Sequence, residues 1–325
     1  MRILLSHSPE ARALYYGDRA LAGLRKVGEV KLHEGATPLE GDALIDAARD
    51  CDLIVSYRQS PGPAHVFERL PKLIAFLRCA IDIRNVDVPA ASKAGVLVTQ
   101  ASAGFVTSVA EQVFGFLVDL SRGITRSSAE YHAGRVPAAQ MGRELKGATL
   151  GVIGYGQIGK EVVRIAKALG MRVLIHDPYK KVAQVPLQRL LAQSDYVVPL
   201  AVATAETENL IGANALAKMK RGAYLINVSR GNLVDEQALE AALDSGHLAG
   251  CAMDVGRAPD QMPSLDLAKL PNVIATPHVG GLTPQAIEHQ SAETVRQVAE
   301  IIGGNAPVGA VNAASWTRRP EKKAT

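Results

Sequence analysis

Two residues of this 325-residue chain combine a reactive side chain with a setting that could hold it still. His278 follows an apolar run at 273–276 and is flanked by Pro277 and Gly280, a composition that predicts a fixed turn at a strand end. Imidazole exchanges a proton near neutrality, so a histidine fixed there can give a proton to a carbonyl and take it back. Arg230 follows a second buried run, 223–228, at the strand end where open α/β sheets place ligands. Its planar guanidinium can hold a carboxylate in a two-pronged way that lysine cannot, although a surface arginine capping a strand end is the plain alternative. Other histidines, such as His7, His65, His132 and His289, lack such a setting. No histidine spacing implies zinc, and Cys51, Cys79 and Cys251 are far apart and read as buried thiols, so no metal is expected.

A third constellation points to a dinucleotide. The run Gly154-Tyr155-Gly156-Gln157-Ile158-Gly159 lies between a strand-like segment, 149–153, and a helical one, 160–169. In that context Gly154 permits a tight turn, Gly156 lets backbone approach a pyrophosphate, and Gly159 allows the helix to pack on the strand. Phosphate charge would rest at the helix N-terminus, near Gln157 and Ile158. Asp177 ends the next strand-like run, eighteen residues after Gly159, close to where a carboxylate binds the ribose diol of NAD. Lys180 and Lys181 nearby would soften the discrimination against NADP. Glycines serving packing alone are the bland alternative, and an adenosyl-cofactor methyltransferase is the competitor on fold.

The elements that must position these groups alternate along the whole chain. Strand candidates at 2–5, 29–32, 53–57, 73–77 and 96–99 are separated by helix-forming segments such as 11–26 and 41–49. The alternation restarts at 149–153 and continues through 172–176, 196–200, 223–228, 250–255 and 273–276. This pattern predicts parallel sheets covered on both faces, in two doubly wound α/β domains. Helical spacing of apolar residues marks long helices at 107–122 and 284–302, and the glycine-rich stretch 123–147 reads as a connection. About 150 residues precede the glycine loop, so another unit is built first.

Composition excludes several classes. With 47% hydrophobic residues the chain is globular, and it has no uncharged apolar run long enough to span a membrane and no signal-peptide pattern, which predicts a cytoplasmic protein. Arg318, Arg319, Lys322 and Lys323 against Glu321 supply most of the net charge of +4, and only 4% of residues are aromatic, so no nucleic-acid surface is expected. The basic tail reads as a frayed, solvated end.

The chain resembles the D-isomer-specific 2-hydroxyacid dehydrogenase family, whose relatives include 3-phosphoglycerate, formate and phosphonate dehydrogenases and corepressors of the C-terminal-binding-protein kind. The resemblance rests on the glycine loop, on Ile226-Asn227-Val228-Ser229-Arg230-Gly231 with Leu233-Val234-Asp235-Glu236, on Asp254-Val255, and on Thr276-Pro277-His278-Val279-Gly280-Gly281. It implies a Rossmann cofactor domain, 101–284, inserted in a flavodoxin-like substrate domain, 1–100 and 285–325. It implies NAD as cofactor, a homodimer built through the cofactor domains, and a cleft that closes on a small 2-oxo or 2-hydroxy acid. Arg230 becomes the substrate-orienting arginine and His278 the proton-transfer residue. Asp254, Thr207, Val228, Ser229 and Gly280 are assigned with Arg230 and His278 to the cofactor groove.

Two departures stand out. The family's glutamate, which binds the catalytic histidine, aligns with Pro259; Asp260 one residue later is expected to take over as the orienting acid, with simple solvation as the alternative. In the loop that receives the substrate carboxylate, Arg84 replaces an acid within Ile81-Asp82-Ile83-Arg84. Arg84, with Arg58, could favour a substrate bearing a second anion; pairing of Arg84 with Asp82 or Asp87 is the blander expectation. The reading is an NAD-dependent oxidoreductase moving a hydride to or from C2 of a D-2-hydroxy or 2-oxo acid. Its rival is a non-enzymatic NAD sensor of the corepressor kind, which Pro259 supports.

Overall fold

The computed structural model describes residues 1–182 and 184–321. The chain divides into two compact units, Met1–Phe105 with the chain from Leu282 onward, and Val106–Gly281.

In the first unit, β1 (Arg2–Leu5), β2 (Glu29–Leu32), β3 (Leu53–Ser56), β4 (Ala75–Arg78) and β5 (Leu97–Gln100) form one parallel sheet. Their order, β2-β1-β3-β4-β5, is that of flavodoxin-like folds. Side chains alternate across each strand, so Ile3, Leu5, Leu53, Val55 and Leu77 face one core and Leu4, Ile54, Phe76 and Val98 face the other. Helices Asp18–Val27 and Pro284–Ile302 cover the first face; Gly41–Ala48 and Ala64–Arg69 supply the second. The segment 11–26 is not one helix. Pro9–Tyr15 and Asp18–Val27 are separated at Gly17, whose φ of +82° only glycine adopts freely.

The tail corrects another expectation. Trp316 is buried and its Nε1 donates to the Ile74 carbonyl at 3.2 Å. Arg318 Nη1 donates to the Leu70 and Leu73 carbonyls at 2.7 and 2.9 Å, and Arg319 stacks 5.5 Å from the Trp316 ring centre. Arg318 satisfies carbonyls at the turn into β4 and Arg319 donates to the Gly304 carbonyl, so neither frays. Lys322 and Lys323 lie outside the described residues.

In the second unit, β6 (Thr149–Ile153), β7 (Arg172–His176), β8 (Tyr196–Pro199), β9 (Ala223–Asn227), β10 (Leu248–Met253) and β11 (Val273–Ala275) are also parallel, in the order β11-β10-β9-β8-β6-β7. The chain steps from β6 outward to β7 and then crosses back to β8, so the order reverses at β6. A crevice opens at such a point beyond the carboxyl ends of the strands. The stretch 123–147 holds an additional helix, Ile124–His132, which follows Gly123 in the left-handed region and buries none of its own side chains. Both sheets bear out the doubly wound α/β reading.

Candidate active site

The glycine loop follows β6 directly. Gly154 has φ +101°, and a Cβ there would lie 2.6 Å from the Leu200 backbone. A Cβ on Gly159 would lie 2.3 Å from the Gly154 carbonyl oxygen, so helix Gln157–Ala168 can sit against the loop only because that position is glycine. Gly156 differs: a Cβ there meets nothing within 4 Å. As N-cap it offers no side chain to the first-turn amides, including those of Gln157, Ile158 and Gly159, whose N–H groups lack intrahelical partners. Open space beside unsatisfied amides at a positive helix end suits a phosphate.

Asp177, immediately after β7, is buried. Its Oδ2 accepts from the Tyr155 amide at 2.7 Å and its Oδ1 from the Tyr179 amide at 2.9 Å. The carboxylate therefore braces the loop and keeps acceptor capacity for a diol, since two oxygens offer about four sites. A pyrophosphate joined to a ribose fits this donor and acceptor set. Further along the carboxyl edge, Thr207 Oγ1 donates to the Val202 carbonyl at 2.7 Å, Val228 is buried, and Ser229 Oγ donates to the Ala201 carbonyl at 3.2 Å.

The two chemistry-bearing residues belong to this same edge. Arg230 is half-buried, and its Nη1 donates to the Ser229 carbonyl at 2.8 Å. Asn227, buried at the end of β9, shapes that turn: its Nδ2 donates to the Arg230 carbonyl at 3.0 Å and its Oδ1 accepts from the Ser229 amide at 3.2 Å. His278 has φ +56°, a conformation uncommon outside glycine, and its amide donates to the Thr276 carbonyl at 2.9 Å. Its Nδ1 lies 2.9 Å from the main-chain oxygen of Asp260. A carbonyl can only accept, so Nδ1 carries a proton and Nε2 is left to exchange one with a substrate.

That contact adds a main-chain role for Asp260. Asp260 reaches His278 through its backbone oxygen, a contact that sequence reasoning did not foresee. Asp260 and Gln261 have φ +56° and +58°, and the amide of Gly256 donates to the Gln261 carbonyl at 2.8 Å. This tight left-handed turn, entered through Pro259, aims the Asp260 carbonyl at the imidazole.

Asp254 is 1% exposed. Its Oδ1 accepts from Thr276 Oγ1 at 2.5 Å, Gln112 Nε2 at 3.1 Å and the Val279 amide at 2.9 Å, and its Oδ2 from the Gly280 amide at 2.8 Å. It thus ties down the two residues that follow His278. Gln112, in helix Val106–Arg122, escaped sequence reasoning because it sits outside every motif.

In the first unit, residues 81–84 follow β4 at the carboxyl edge of that sheet. Arg84 is bound to Asp82, Nε to Oδ1 at 3.0 Å and Nη2 to Oδ2 at 2.6 Å, and this bond raises the Arg84 pKa. The blander expectation for Arg84 is the one realised. Ile81 and Ile83 are half-buried, and the Arg58 guanidinium stacks 5.0 Å from the Tyr15 ring centre. Two buried residues here carried no sequence signal. Arg78 is fully buried, bound to the Tyr57 carbonyl and Asn85 Oδ1, and desolvation lowers its pKa to about 10. His7 lies between Tyr16 and Tyr57, with ring centres 5.2 and 5.1 Å away, and desolvation, then Arg78 and Arg12, lower its pKa to about 3.

A family profile described as the D-isomer specific 2-hydroxyacid dehydrogenase, NAD binding domain, matches residues 114–280. A glyoxylate reductase from Korarchaeum cryptofilum is 34% identical over 304 residues, spanning 89% of this chain and 88% of that one. The chain belongs to the D-isomer-specific 2-hydroxyacid dehydrogenase family. Among solved structures, the TT0316 protein of Thermus thermophilus superposes with a TM-score of 0.87 at 30% identity, covering 96% of this chain and 100% of that one. A D-lactate dehydrogenase of Aquifex aeolicus, crystallised with NAD and lactic acid, does so with a TM-score of 0.78 at 27% identity, covering 94% and 96%. This dehydrogenase is accordingly an NAD-dependent oxidoreductase that transfers a hydride between NAD(H) and C2 of a 2-hydroxy or 2-oxo acid.

Proposed function

We propose that Arg230 and His278 carry the reaction, with a small D-2-hydroxy/2-oxo acid such as glyoxylate or hydroxypyruvate as substrate. The observation that carries this reading is His278 held with Nδ1 on a carbonyl, so that Nε2 is left for proton exchange, on the strand edge that also bears Arg230 and the glycine loop. When bound, the nicotinamide supplies or accepts the hydride. Arg230 holds the carboxylate and C2 oxygen through its guanidinium fork, which fixes the face presented for transfer. In reduction, protonated His278 gives its Nε2 proton to the C2 oxygen; in oxidation, neutral His278 takes the hydroxyl proton back.

Gly154, Gly156, Gln157, Ile158 and Gly159 receive the pyrophosphate, and Asp177 the adenosine ribose, which selects NAD over NADP. Thr207, Val228, Ser229, Asp254 and Gly280 line the groove beside it. In the first unit, residues 81–84 present the substrate-binding loop. With Arg84 already neutralised by Asp82 and Arg58 stacked on Tyr15, this loop favours a substrate with one carboxylate over a dicarboxylate.

The same reading assigns a homodimer and a cytoplasmic location. Ile124, Tyr131, Val136 and Met141 are 53, 62, 85 and 100% exposed, an apolar series on the cofactor unit that a second copy would cover. Light scattering should give twice the chain mass, and Tyr131→Asp with Val136→Asp should halve it. Among the described residues no helix is long and apolar enough to cross a membrane, and the three cysteines are free thiols, as the reducing cytoplasm keeps them.

Loss of NADH absorbance against glyoxylate, hydroxypyruvate, pyruvate, phenylpyruvate and oxaloacetate tests the reaction. Turnover of a monocarboxylate that Arg230→Ala and His278→Ala abolish is the expected result. Full activity in either variant would remove that residue from the chemistry.

A further inference from the structure

We infer that Gln112 is a positioning residue for His278, acting through Asp254 and Thr276; the inference rests on the assignment of His278 as the proton-transfer group. Gln112 stands on helix Val106–Arg122, far in sequence from the motif it serves. Its Nε2 lies 3.1 Å from Asp254 Oδ1 and 3.0 Å from Thr276 Oγ1. The orientation of its amide follows from proton counting. Thr276 gives its single hydroxyl proton to Asp254 Oδ1 at 2.5 Å, so its oxygen can only accept from Gln112, and a buried carboxylate accepts as well. Both neighbours therefore require the NH2 end, and Oε1 is left buried without a hydrogen-bond partner. An orphaned buried acceptor is costly and demands a reason. Here the reason is that the opposite amide orientation would set an acceptor against two acceptors.

The consequence reaches His278 through the backbone. Four neutral donors surround the Asp254 carboxylate, and two of them are the amides of Val279 and Gly280. Those amides fix the chain just beyond His278, whose left-handed φ persists only while its surroundings impose it. The packing is close. A Cβ on Gly280 would lie 2.5 Å from Gln112 Oε1 and 2.9 Å from Asp254 Oδ2. Losing the Gln112 donor leaves Asp254 under-satisfied and free to move, and the His278 turn moves with it.

Two variants of the full chain test this. In Gln112→Leu, hydrogen exchange across residues 276–281 should accelerate while the β6–β9 strands stay protected. The kcat for 2-oxo acid reduction should fall roughly 10- to 100-fold, as for other groups that orient a catalytic ligand, with KM for NADH little changed. Gln112→Glu is isosteric but sets a carboxylate against Asp254. It should be worse than Gln112→Leu at neutral pH and should recover relative to wild type as the pH falls, because a protonated carboxyl again has a hydrogen to donate. A merely structural role gives no such recovery, and this pH dependence carries the test if Gln112→Leu does not fold. Wild-type exchange at 276–281 together with wild-type kcat in Gln112→Leu overturns the inference. Accelerated exchange in a protein whose wild type reduces no 2-oxo acid would leave the clamp standing and remove the reaction assigned to His278.

Discussion

The glycine loop makes a sharp prediction because its three glycines have different geometric reasons. For Gly156→Ala, the added methyl meets nothing within 4 Å, and φ −75° is open to alanine. Reduced freedom of the unfolded chain contributes about 0.4–1 kcal/mol in favour of the variant. Alanine is a poorer N-cap than glycine by a similar amount, so the two nearly cancel and ligand-free stability should change by under about 0.5 kcal/mol. On the proposed cofactor placement, the methyl occupies the space through which backbone approaches pyrophosphate. Forcing a phosphate outward from the first-turn amides weakens charge-assisted bonds of about 1.5–3 kcal/mol each, so NADH affinity should fall roughly 10- to 100-fold. Gly159→Ala should behave oppositely. Its methyl starts 2.3 Å from the Gly154 carbonyl oxygen, a backbone atom, and the helix must move away at a cost of about 1–3 kcal/mol or more in the absence of any ligand. Thermal unfolding without ligand and fluorescence titration with NADH separate the two. A Gly156→Ala protein that binds NADH as wild type does, or a Gly159→Ala protein with unchanged melting, would refute the placement of the loop.

Other outcomes follow from single contacts. Because the Asp260 main-chain oxygen holds His278, Asp260→Asn, which tolerates a left-handed backbone and keeps the carbonyl, should retain more reductase activity than Asp260→Val, whose β-branched side chain resists φ +56°; equal loss in both would return the role to the carboxylate. His7 should make the protein acid-labile: its folded pKa of about 3 lies below the unfolded 6.5, so the unfolded chain takes up the proton first. The associated stability, roughly 4–5 kcal/mol, is fully present above pH 6.5 and is lost as the pH falls towards about 3. Denaturant titrations at a series of pH values should show a shallower decline for His7→Phe, and an identical decline would mean that His7 is protonated in the fold.

Much of this molecule is legible in the sequence. Among the described residues, short apolar runs locate the central strands, since a strand covered on both faces must be apolar along its whole length, while the edge strands β2 and β7 carry charged residues and are less buried. The glycine loop is legible because its residues are demanded by close approach, which sequence records as glycine. What escapes lies in groups whose meaning is supplied by distant chain. Gln112 is one more polar residue on an amphipathic helix until Asp254 and Thr276 arrive beside it. Arg78 ends a strand and carries no local signal, yet it is fully buried among carbonyl and amide oxygens supplied by distant chain. Helix Ile124–His132 buries none of its own side chains and lies in a glycine-rich stretch that reads as a connection. The Arg318 and Arg319 tail looks solvated because composition cannot report the carbonyls of Leu70, Leu73 and Gly304 that receive them.

Replacing the expected glutamate by Pro259 changes where the orientation of His278, the proposed proton-transfer residue, is stored. A carboxylate and a carbonyl both oblige Nδ1 to carry the proton, so the tautomer is preserved; only the carboxylate also sets a full negative charge beside the ring. A side chain can swing to its partner, but a carbonyl must be aimed by backbone. The cost therefore moves into Asp260 and Gln261, both left-handed, at about 1–3 kcal/mol each. Something must hold that turn, and Arg257 does so from its entrance. Its amide donates to Glu236 Oε1 at 2.9 Å, its Nη2 to the Asn232 and Val234 carbonyls at 3.2 Å and to Asn209 Oδ1 at 2.6 Å, and it pairs with Glu208 at 2.8 Å. Arg257→Ala removes every side-chain contact in that set while leaving Arg230, His278 and the glycine loop unaltered. If the strained turn is what orients the imidazole, this variant should keep NADH affinity and lose kcat, and a ring-nitrogen NMR spectrum should show His278 sampling both neutral tautomers. A single Nδ1-protonated tautomer at wild-type kcat would mean that the turn holds without Arg257.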